Sequence, residues 1–292
     1  MHSYTKAAAW MSGAIISFMA MAVAGRTVSA ELDTFEIMTF RSLVGAVIMM
    51  IVISYVKRWR DISGQGFGLH VARNVSHFVG QNLWFYALTI MPLAQLFAFE
   101  FTTPIWVILF SPLMLGTKLR LPGLLAALIA FVGILIVARP GAEPMGPGVW
   151  AAIGCAIGFA LPYFFTQKLL KRQSVYAVLF HMTWMQTLLG LGMAGYDGDI
   201  AMPSMDILLP LMVVSITGLS AHLCISMALT LAPASVCSPI DFVRLPAIAV
   251  VGALFYEEPL DLMVLLGAVF IFGGNYLNIL SEMKNSKIIT SR

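Results

Sequence analysis

The sequence predicts an all-α membrane protein whose ten transmembrane helices form two inverted five-helix repeats. Ten apolar stretches, each long enough to cross a bilayer, cover nearly all of the 292 residues. The second five stretches repeat the first five at a constant offset of 141 residues. Because five is an odd number, the second copy begins on the opposite side of the membrane, and its helices run antiparallel to those of the first.

The composition excludes a soluble globular domain. Hydrophobic residues make up 60% of the chain and charged residues 11%, whereas a typical soluble domain has about 25% charged residues. The cysteines, Cys155, Cys224 and Cys237, lie in apolar stretches and form no Cys-x-x-Cys pair, so we expect no disulfide framework, metal or cofactor. The chain is predicted to be one integral membrane domain, residues 1–292, with lipid and a small-molecule substrate as partners and no nucleic acid.

The elements follow from the apolar runs and the breaks between them. The predicted crossings are residues 7–26, 35–55, 70–90, 94–115, 121–138, 148–167, 175–195, 207–228, 234–255 and 262–280. The links at 91–93 and 231–233 are so short that they turn the chain straight back. A Pro/Gly-rich break at 140–148 joins the first repeat, residues 1–141, to the second repeat and its short tail, residues 142–292.

The repeat can be checked position by position. Ala87-Leu88-Thr89 followed by Pro92 recurs 141 residues later as Ala228-Leu229-Thr230 followed by Pro233. Further equivalent pairs, without a gap, are Glu100 and Asp241, Phe101 and Phe242, Phe131 and Phe272, and Gly133 and Gly274. Matched proline, glycine and acidic positions indicate duplication rather than the general likeness of two apolar helices.

The distribution of Lys and Arg predicts the orientation. With a cytoplasmic N-terminus, twelve Lys and Arg residues lie in inside segments, and only Arg26 and Arg139 lie outside. The positive-inside rule then places both termini in the cytoplasm and the chain in the inner (plasma) membrane. An alternative is that Lys6, the following apolar run and Ala22-Val23-Ala24 form a cleaved secretory signal, although such apolar regions are usually shorter.

The third crossing carries a narrow polar stripe. At 100° per residue, five of its polar side chains fall within one arc of about 100°, and they are His70, Arg73, Asn74, His77 and Gln81. Such a stripe cannot face lipid, so we expect it to wall a cavity in the bundle. The alternative is hydrogen bonding between packed helices.

The fourth and ninth crossings carry equivalent buried acids, Glu100 and Asp241. Each lies about 9–10 Å into its helix at 1.5 Å per residue. Asp241 has Arg244 one turn on, which is the spacing of an ion pair. Glu100 has no such neighbour, so its partner is expected from another helix, with Arg41 and Arg73 as the buried cations of the first half. Pro104 and Pro246 follow the acids and can kink their helices.

The fifth and tenth crossings are almost free of polar side chains. We expect them to be lipid-facing scaffold, with Ala126, Ala130, Gly267 and Gly274 allowing close helix contacts. A contact of this kind between two protomers would give a homodimer.

These features resemble the drug/metabolite transporter superfamily, EamA type. The motifs that carry the resemblance are Phe35-Glu36-Ile37 through Arg41, Arg73-Asn74 with His77-Phe78 and Gln81, Pro104, Pro239 with Arg244-Leu245-Pro246, and Glu257-Glu258-Pro259. One departure is Gly116-Thr117, where the family usually has Gly-Glu. The resemblance covers the whole chain and implies two repeats that alternate access to a central cavity, with substrates that include vitamins, S-adenosylmethionine, amino acids and drugs.

The predicted function is therefore secondary active transport of a small heteroaromatic metabolite, such as riboflavin or a nucleoside-like compound. Export of amino acids or drugs is the alternative, and a channel or an intramembrane enzyme is a more distant one. No phosphate-binding loop is present to supply ATP hydrolysis.

Two sets of site residues are predicted. The substrate-binding residues are Arg73, His77, Gln81, Trp84, Glu100, Phe101, Asp241, Phe242 and Arg244. Membrane-embedded acids often relay protons, so Glu100 and Asp241 are also the expected proton-coupling groups. Arg73 or Arg244 is available for an anionic group of the substrate.

Overall fold

The computed structural model describes residues 2–116, 121–139, 145–196, 198–231, 240–241 and 243–290. These residues form helices, turns and loops, with no β-strand among them. The α-helices are α1 His2–Val28, α2 Thr34–Tyr55, α3 Phe67–Ile90, α4 Leu93–Glu100, α5 Thr103–Leu115, α6 Leu121–Ala138, α7 Pro147–Leu170, α8 Val175–Ala194, α9 Met205–Leu231, α10 Arg244–Tyr256 and α11 Leu262–Thr290. Five residues singled out above lie outside the described residues, and they are Thr117, Pro233, Cys237, Pro239 and Phe242.

Seven helical segments of the described chain are long and apolar enough to cross a membrane. One of them, Leu93–Met114, combines α4 with most of α5. The polar stripe of α3 lowers its hydropathy, so that α3 is not among the seven, and the apolar parts of α10 and α11 are shorter. The chain is a multi-pass membrane protein, while the count of ten crossings and the orientation of the termini stay predictions.

Local sequence explains where several helices begin. Asp33 caps α2 and forms a capping box with Glu36, each side chain accepting the other residue's backbone N–H. Ser174 caps α8 by accepting from the backbone N–H of Ala177 at 3.3 Å. Pro147 opens α7, where its missing N–H removes no helical hydrogen bond.

The regular α-helical hydrogen bonding of the fourth crossing is interrupted at Phe101 and Thr102, whose backbone stays in the right-handed helical region. Phe101 and Thr102 form a turn between α4 and α5, and Pro104 lies in the first turn of α5. The second half has a matching feature, because Asp241 is helical, Val243 lies in a turn and α10 begins at the next residue. The prolines therefore follow breaks that lie beside the two acids, where backbone polar groups leave the helical pattern.

The most extensive helix contacts pair α1 with α9, α3 with α7, α6 with α11, and α2 with α8. In crossing numbers these are 1 with 8, 3 with 6, 5 with 10, and 2 with 7. Each crossing of the first half is equivalent to the crossing five places later. Replacing each crossing by its equivalent therefore turns the pair 1 with 8 into the pair 6 with 3, and it leaves the pairs 5 with 10 and 2 with 7 unchanged. This is the pattern that a two-fold relation between the halves would produce.

Glycines set the closest approaches between helices. A Cβ on Gly158 of α7 would lie 2.7 Å from the Cα of Gly80 in α3, so the two backbones touch. A Cβ on Gly274 of α11 would lie 2.5 Å from the carbonyl oxygen of Ala126 in α6. The small residues of the fifth and tenth crossings thus pack against each other within the chain, and they lend no support to a homodimer.

Candidate functional site

The two broken crossings meet at one buried ion cluster. Arg244, the first residue of α10, donates from Nη2 to Glu100 Oε1 at 2.9 Å and to Asp241 Oδ2 at 3.0 Å. The side chains are 4%, 13% and 20% exposed, respectively. We call these three residues the carboxylate cluster. The predicted pair of Asp241 with Arg244 is present, but Glu100 takes its partner from the second half, so the expectation of Arg41 or Arg73 was wrong.

Aromatic rings surround the carboxylate cluster. The Arg244 guanidinium carbon lies 4.6 Å from the ring centre of Phe18, 5.1 Å from that of Phe97 and 4.9 Å from that of Phe101. Cations at this distance from a ring face are attracted by its quadrupole. Trp84 donates from Nε1 to Glu100 Oε2 at 2.8 Å. Trp84 and Phe101 therefore contact the carboxylate cluster, while their predicted role in substrate binding stays a prediction.

The carboxylate cluster has more acid than base. Two ionised carboxylates facing one guanidinium leave one negative charge in excess. Buried Asp241 Oδ1 and Arg244 Nε and Nη1 have no hydrogen-bond partner within the described part of the chain. A carboxylate that takes up a proton would bring the charge of the cluster to zero, and its hydrogen bonds would change.

The polar stripe of α3 is buried, but it lies apart from the carboxylate cluster. Arg73 donates to Thr166 Oγ1 at 3.0 Å, to Asn74 Oδ1 at 2.9 Å and to Met182 Sδ at 3.5 Å. Asn74 in turn donates to the His70 carbonyl oxygen at 2.8 Å. The contacts of Asn74 therefore fit the alternative to a cavity wall, in which the polar side chains of α3 form hydrogen bonds within the packed helices.

His77 and Gln81 face α8 and α2. Gln186 Nε2 donates to His77 Nδ1 at 2.7 Å, and Arg41 Nη1 donates to Gln81 Oε1 at 2.6 Å. The ring centres of His77 and His222 are 5.0 Å apart. These contacts form a second polar group, which joins α2, α3, α8 and α9.

A small cavity of ≈ 20 Å³ opens within this second group. We call it the arginine cavity, and its lining is Arg41, Ser42, Gly45, His77, Met182, Thr183, Gln186, Ser215 and Leu219. Of the predicted site residues, only His77 lines it. Arg41 and Gln186 were not among the predicted site residues. Arg41 could have been predicted, because a charged residue within an apolar stretch indicates a functional position.

The predicted residues thus divide into two neighbouring groups. Trp84, Glu100, Phe101, Asp241 and Arg244 belong to the carboxylate cluster, while Arg73, His77 and Gln81 belong to the α3 stripe. His222 connects them, since its ring lies 5.0 Å from His77 and 6.2 Å from Phe18. Phe242 lies outside the described residues.

An ion pair ties together the end of the bundle that is predicted to face outward. Arg26, near the end of α1, pairs with Glu258 in the loop before α11. Arg26 also donates to the carbonyl oxygens of Leu88 at 3.0 Å and Met91 at 2.7 Å. Glu258 accepts from the Leu93 N–H at 2.9 Å. We call this network the outer latch, because it joins α1, the α3–α4 turn and the α10–α11 loop.

The opposite end carries a different set of contacts. Asp61 in the loop after α2 is paired with Arg58 at 2.8 Å. Hydrogen bonds from Arg58 and Ser174 lower the pKa of Asp61, and the same carboxylate raises the pKa of Arg58. Gln173 donates to the Gln65 carbonyl oxygen at 2.6 Å. These contacts hold the α2–α3 loop against α7 and α8.

Comparisons with known proteins agree with this architecture. The model of the EamA-like transporter family matches residues 5–139 and again residues 146–280, two segments separated by the offset found in the sequence. A solved crystal structure aligns over 96% of this chain and 98% of its own, with a TM-score of 0.66 at 15% identity. That likeness shows a shared fold.

The geometry and the double match define a multi-pass transporter protein. The chain belongs to the EamA-like transporter family.

Named relatives cover most of the chain. It is 24% identical to a protein named S-adenosylmethionine uptake transporter of Rickettsia conorii, over 97% of this chain and 95% of the relative. It is 26% identical to a riboflavin transporter of Brucella anthropi, over 82% and 86%. It is 25% identical to a pseudopaline exporter of Pseudomonas aeruginosa, over 88% and 90%.

Proposed function

We propose that this protein is a secondary active transporter of the inner membrane that moves a small heteroaromatic metabolite by alternating access. The observation that carries the proposal is the carboxylate cluster, in which equivalent helix breaks of the two halves are joined through Arg244. Discontinuous helices at a repeat interface are where many secondary transporters bind substrate and coupling ion. The family and the names of the relatives are those of transporters.

The two halves act as inverted repeats, residues 1–141 and 142–292, with both termini in the cytoplasm. The helix pairs that a two-fold axis would exchange support this arrangement, as does the double family match at the offset of 141 residues. In this scheme each broken crossing contributes half of a gate. The cluster between them transmits movement from one half to the other.

Proton uptake is the coupling step that the carboxylate cluster favours. Glu100 and Asp241 compete for one guanidinium, so protonating Glu100 would weaken the only ion pair that joins α4 to α10 among the described residues. Asp241 would keep Arg244, because the two are only three residues apart in the chain. Glu100 is therefore the better proton carrier of the two acids.

The chemistry of the site suits a planar ring with polar substituents. Aromatic faces surround the carboxylate cluster, and the α3 stripe, which His222 links to it, carries amide and imidazole groups. Binding sites for small molecules combine an apolar lining with a few placed polar groups. S-adenosylmethionine and riboflavin, named for two relatives, both carry heteroaromatic rings. The exporter among the relatives supports the opposite direction of transport as a second candidate.

The experiment that tests the function uses purified protein in proteoliposomes. Radiolabelled riboflavin and S-adenosylmethionine are offered under an imposed pH gradient and, separately, in counterflow without a gradient. Glu100→Gln should abolish accumulation driven by the gradient while sparing exchange, because the amide cannot carry the proton. Glu257→Gln, at an exposed acid, is the matched control.

Saturable counterflow of either compound supports the proposed function, and its direction preference separates uptake from export. Full gradient-driven accumulation by the Glu100→Gln protein would overturn the coupling role of Glu100. Unsaturable flux through wild-type protein would favour a channel over a carrier.

A further inference from the structure

Arg41 is a buried cation without an acidic partner in the part of the chain that the structure describes. It lies in the middle of α2, is 7% exposed, and has no carboxylate within 4 Å among the described residues. Its one hydrogen-bonded oxygen is the neutral amide oxygen of Gln81. A charged residue within a membrane helix is costly to insert and therefore rare. Arg244, by contrast, is matched by two carboxylates.

The surroundings of Arg41 add positive rather than negative charge. Arg73, 5% exposed, also has only neutral acceptors within the described residues. It contacts Met182, which lines the arginine cavity together with Arg41. The acids of the carboxylate cluster are bound to Arg244 instead. Arg41 and Arg73 thus place two positive charges in the protein interior, with no carboxylate within 4 Å of either guanidinium among the described residues.

The arginine cavity presents donors to whatever enters it. Only Nη1 of the Arg41 guanidinium donates a hydrogen bond to described residues, and Arg41 is one of the residues that line the cavity. The Gln186 amide donates to His77 Nδ1, so the neutral imidazole carries its proton on Nε2 and is a donor there. The Ser42 hydroxyl supplies a further donor on the wall.

Gly218 makes room for the Arg41 guanidinium beside α9. A Cβ on Gly218 of α9 would lie 2.4 Å from Arg41 Nη2 and 3.1 Å from its Cζ. The backbone of α9 therefore rests directly against the charged group. This close packing indicates that the Arg41 side chain is held in a defined position, and that it does not point inward only to avoid lipid.

We propose that the arginine cavity binds a small anion, either a chloride ion or a single carboxylate group, against Arg41. Its ≈ 20 Å³ exceeds the roughly 10–15 Å³ that one water molecule needs, and a whole metabolite does not fit. The guanidinium, an imidazole N–H and a hydroxyl are donors suited to an anion. A bound carboxylate would be a group of the transported substrate, so this possibility rests on the proposed transport function. Binding of chloride does not depend on that function.

The test measures thermal unfolding of the purified full chain in detergent, at constant ionic strength, in potassium chloride, formate or gluconate. Chloride and formate should raise the Tm in a saturable manner, and gluconate, which is too large for the cavity, should not. Arg41→Gln should raise the half-saturating chloride concentration about tenfold to a hundredfold, the loss of one charged hydrogen bond. Arg60→Gln, at an exposed arginine, is the matched control.

A milder variant keeps the test valid where Arg41→Gln folds poorly. Ser42→Ala retains the charge and should raise the half-saturating concentration about twofold to tenfold, as expected for a neutral hydrogen bond. Equal Tm values in the three salts for the wild-type protein would overturn the anion site. So would an unchanged half-saturating concentration in both variants.

Transport assays then separate the two sources of the anion. Where chloride itself is the resident ion, replacing it with gluconate slows counterflow of the labelled substrate. Where the site takes the carboxylate of the substrate, chloride inhibits counterflow competitively. The thermal measurement contains no transported substrate, so a flat result there leaves the transport proposal intact. A saturable chloride effect without flux would reject only the transport proposal.

Discussion

The outer latch predicts that a single amide substitution opens one end of the protein. Arg26 and Glu258 are 19% and 14% exposed in their side chains, so water screens the pair only in part. Glu258→Gln leaves an acceptor for the Leu93 N–H, but it leaves Arg26 without an anionic partner, with two backbone carbonyls and the Tyr256 ring as its remaining contacts among the described residues. Truncating one member of a buried charged pair costs about 2–5 kcal/mol.

Partial exposure places the effect near the lower limit, about 2 kcal/mol, which corresponds to a change of about 30-fold in an equilibrium constant. The closed outer end loses this stabilisation, whereas an open end with hydrated side chains loses little. The ratio of outward-open to outward-closed protein should therefore rise by about that factor.

The outer latch has no charged equivalent in the sequence of the other half. The positions 141 residues from Arg26 and Glu258 hold Gln167 and Thr117, which cannot form an ion pair. Glu257 and Gly116, which are also equivalent, both have positive φ values, of 55° and 65°. The backbone turns at Glu257 and Gly116 are thus similar. The ion pair of the outer latch lies at one end of the protein, and the equivalent positions at the other end are uncharged.

The measurement is pulsed electron spin resonance between nitroxide labels at residues 30 and 260, in a cysteine-free background. Glu258→Gln should increase the population at long distances, while Glu257→Gln, which neutralises the neighbouring exposed acid, should match wild type. Identical distance distributions for the two variants would show that Arg26 and Glu258 are an ordinary surface pair. The double variant Gln167→Arg with Thr117→Glu should shift the distribution in the opposite direction to Glu258→Gln.

Two further outcomes are expected. Gln81→Ala should raise the apparent KM for the transported compound about tenfold at unchanged protein level, since it removes the acceptor that orients Arg41; unchanged kinetics in both Gln81→Ala and Arg73→Ala would assign the α3 stripe to packing alone. Gly158→Ala should destabilise the purified protein by about 1–3 kcal/mol in denaturant titrations, because its Cβ meets the Gly80 backbone. Gly192→Ala, with open space around it, should be neutral or slightly stabilising, and equal effects of the two substitutions would contradict the α3–α7 contact.

Much of the architecture could be predicted from the sequence because its causes are local. A helix must be apolar over a bilayer's thickness, so composition alone predicts an integral membrane protein, and its helices follow the predicted crossings. The cost of polar groups in lipid likewise required that the α3 stripe face inward, and Arg73, His77 and Gln81 are all buried. The i,i+3 spacing of Asp241 and Arg244 in the sequence was enough to predict their pairing, although α10 begins only at Arg244.

The tertiary structure alone decided which side chains meet across helices. Glu100 and Arg244 are separated by 144 residues, and their contact depends on how α4 and α10 are rotated and tilted against each other. The same holds for Arg41, which meets Gln81 and lines the cavity only because α2 presents that face to α3. Helix rotation is set by the packing of side chains far apart in the chain. Length, composition and period determine that a helix forms and which face is polar, but they do not determine which partner that face will find.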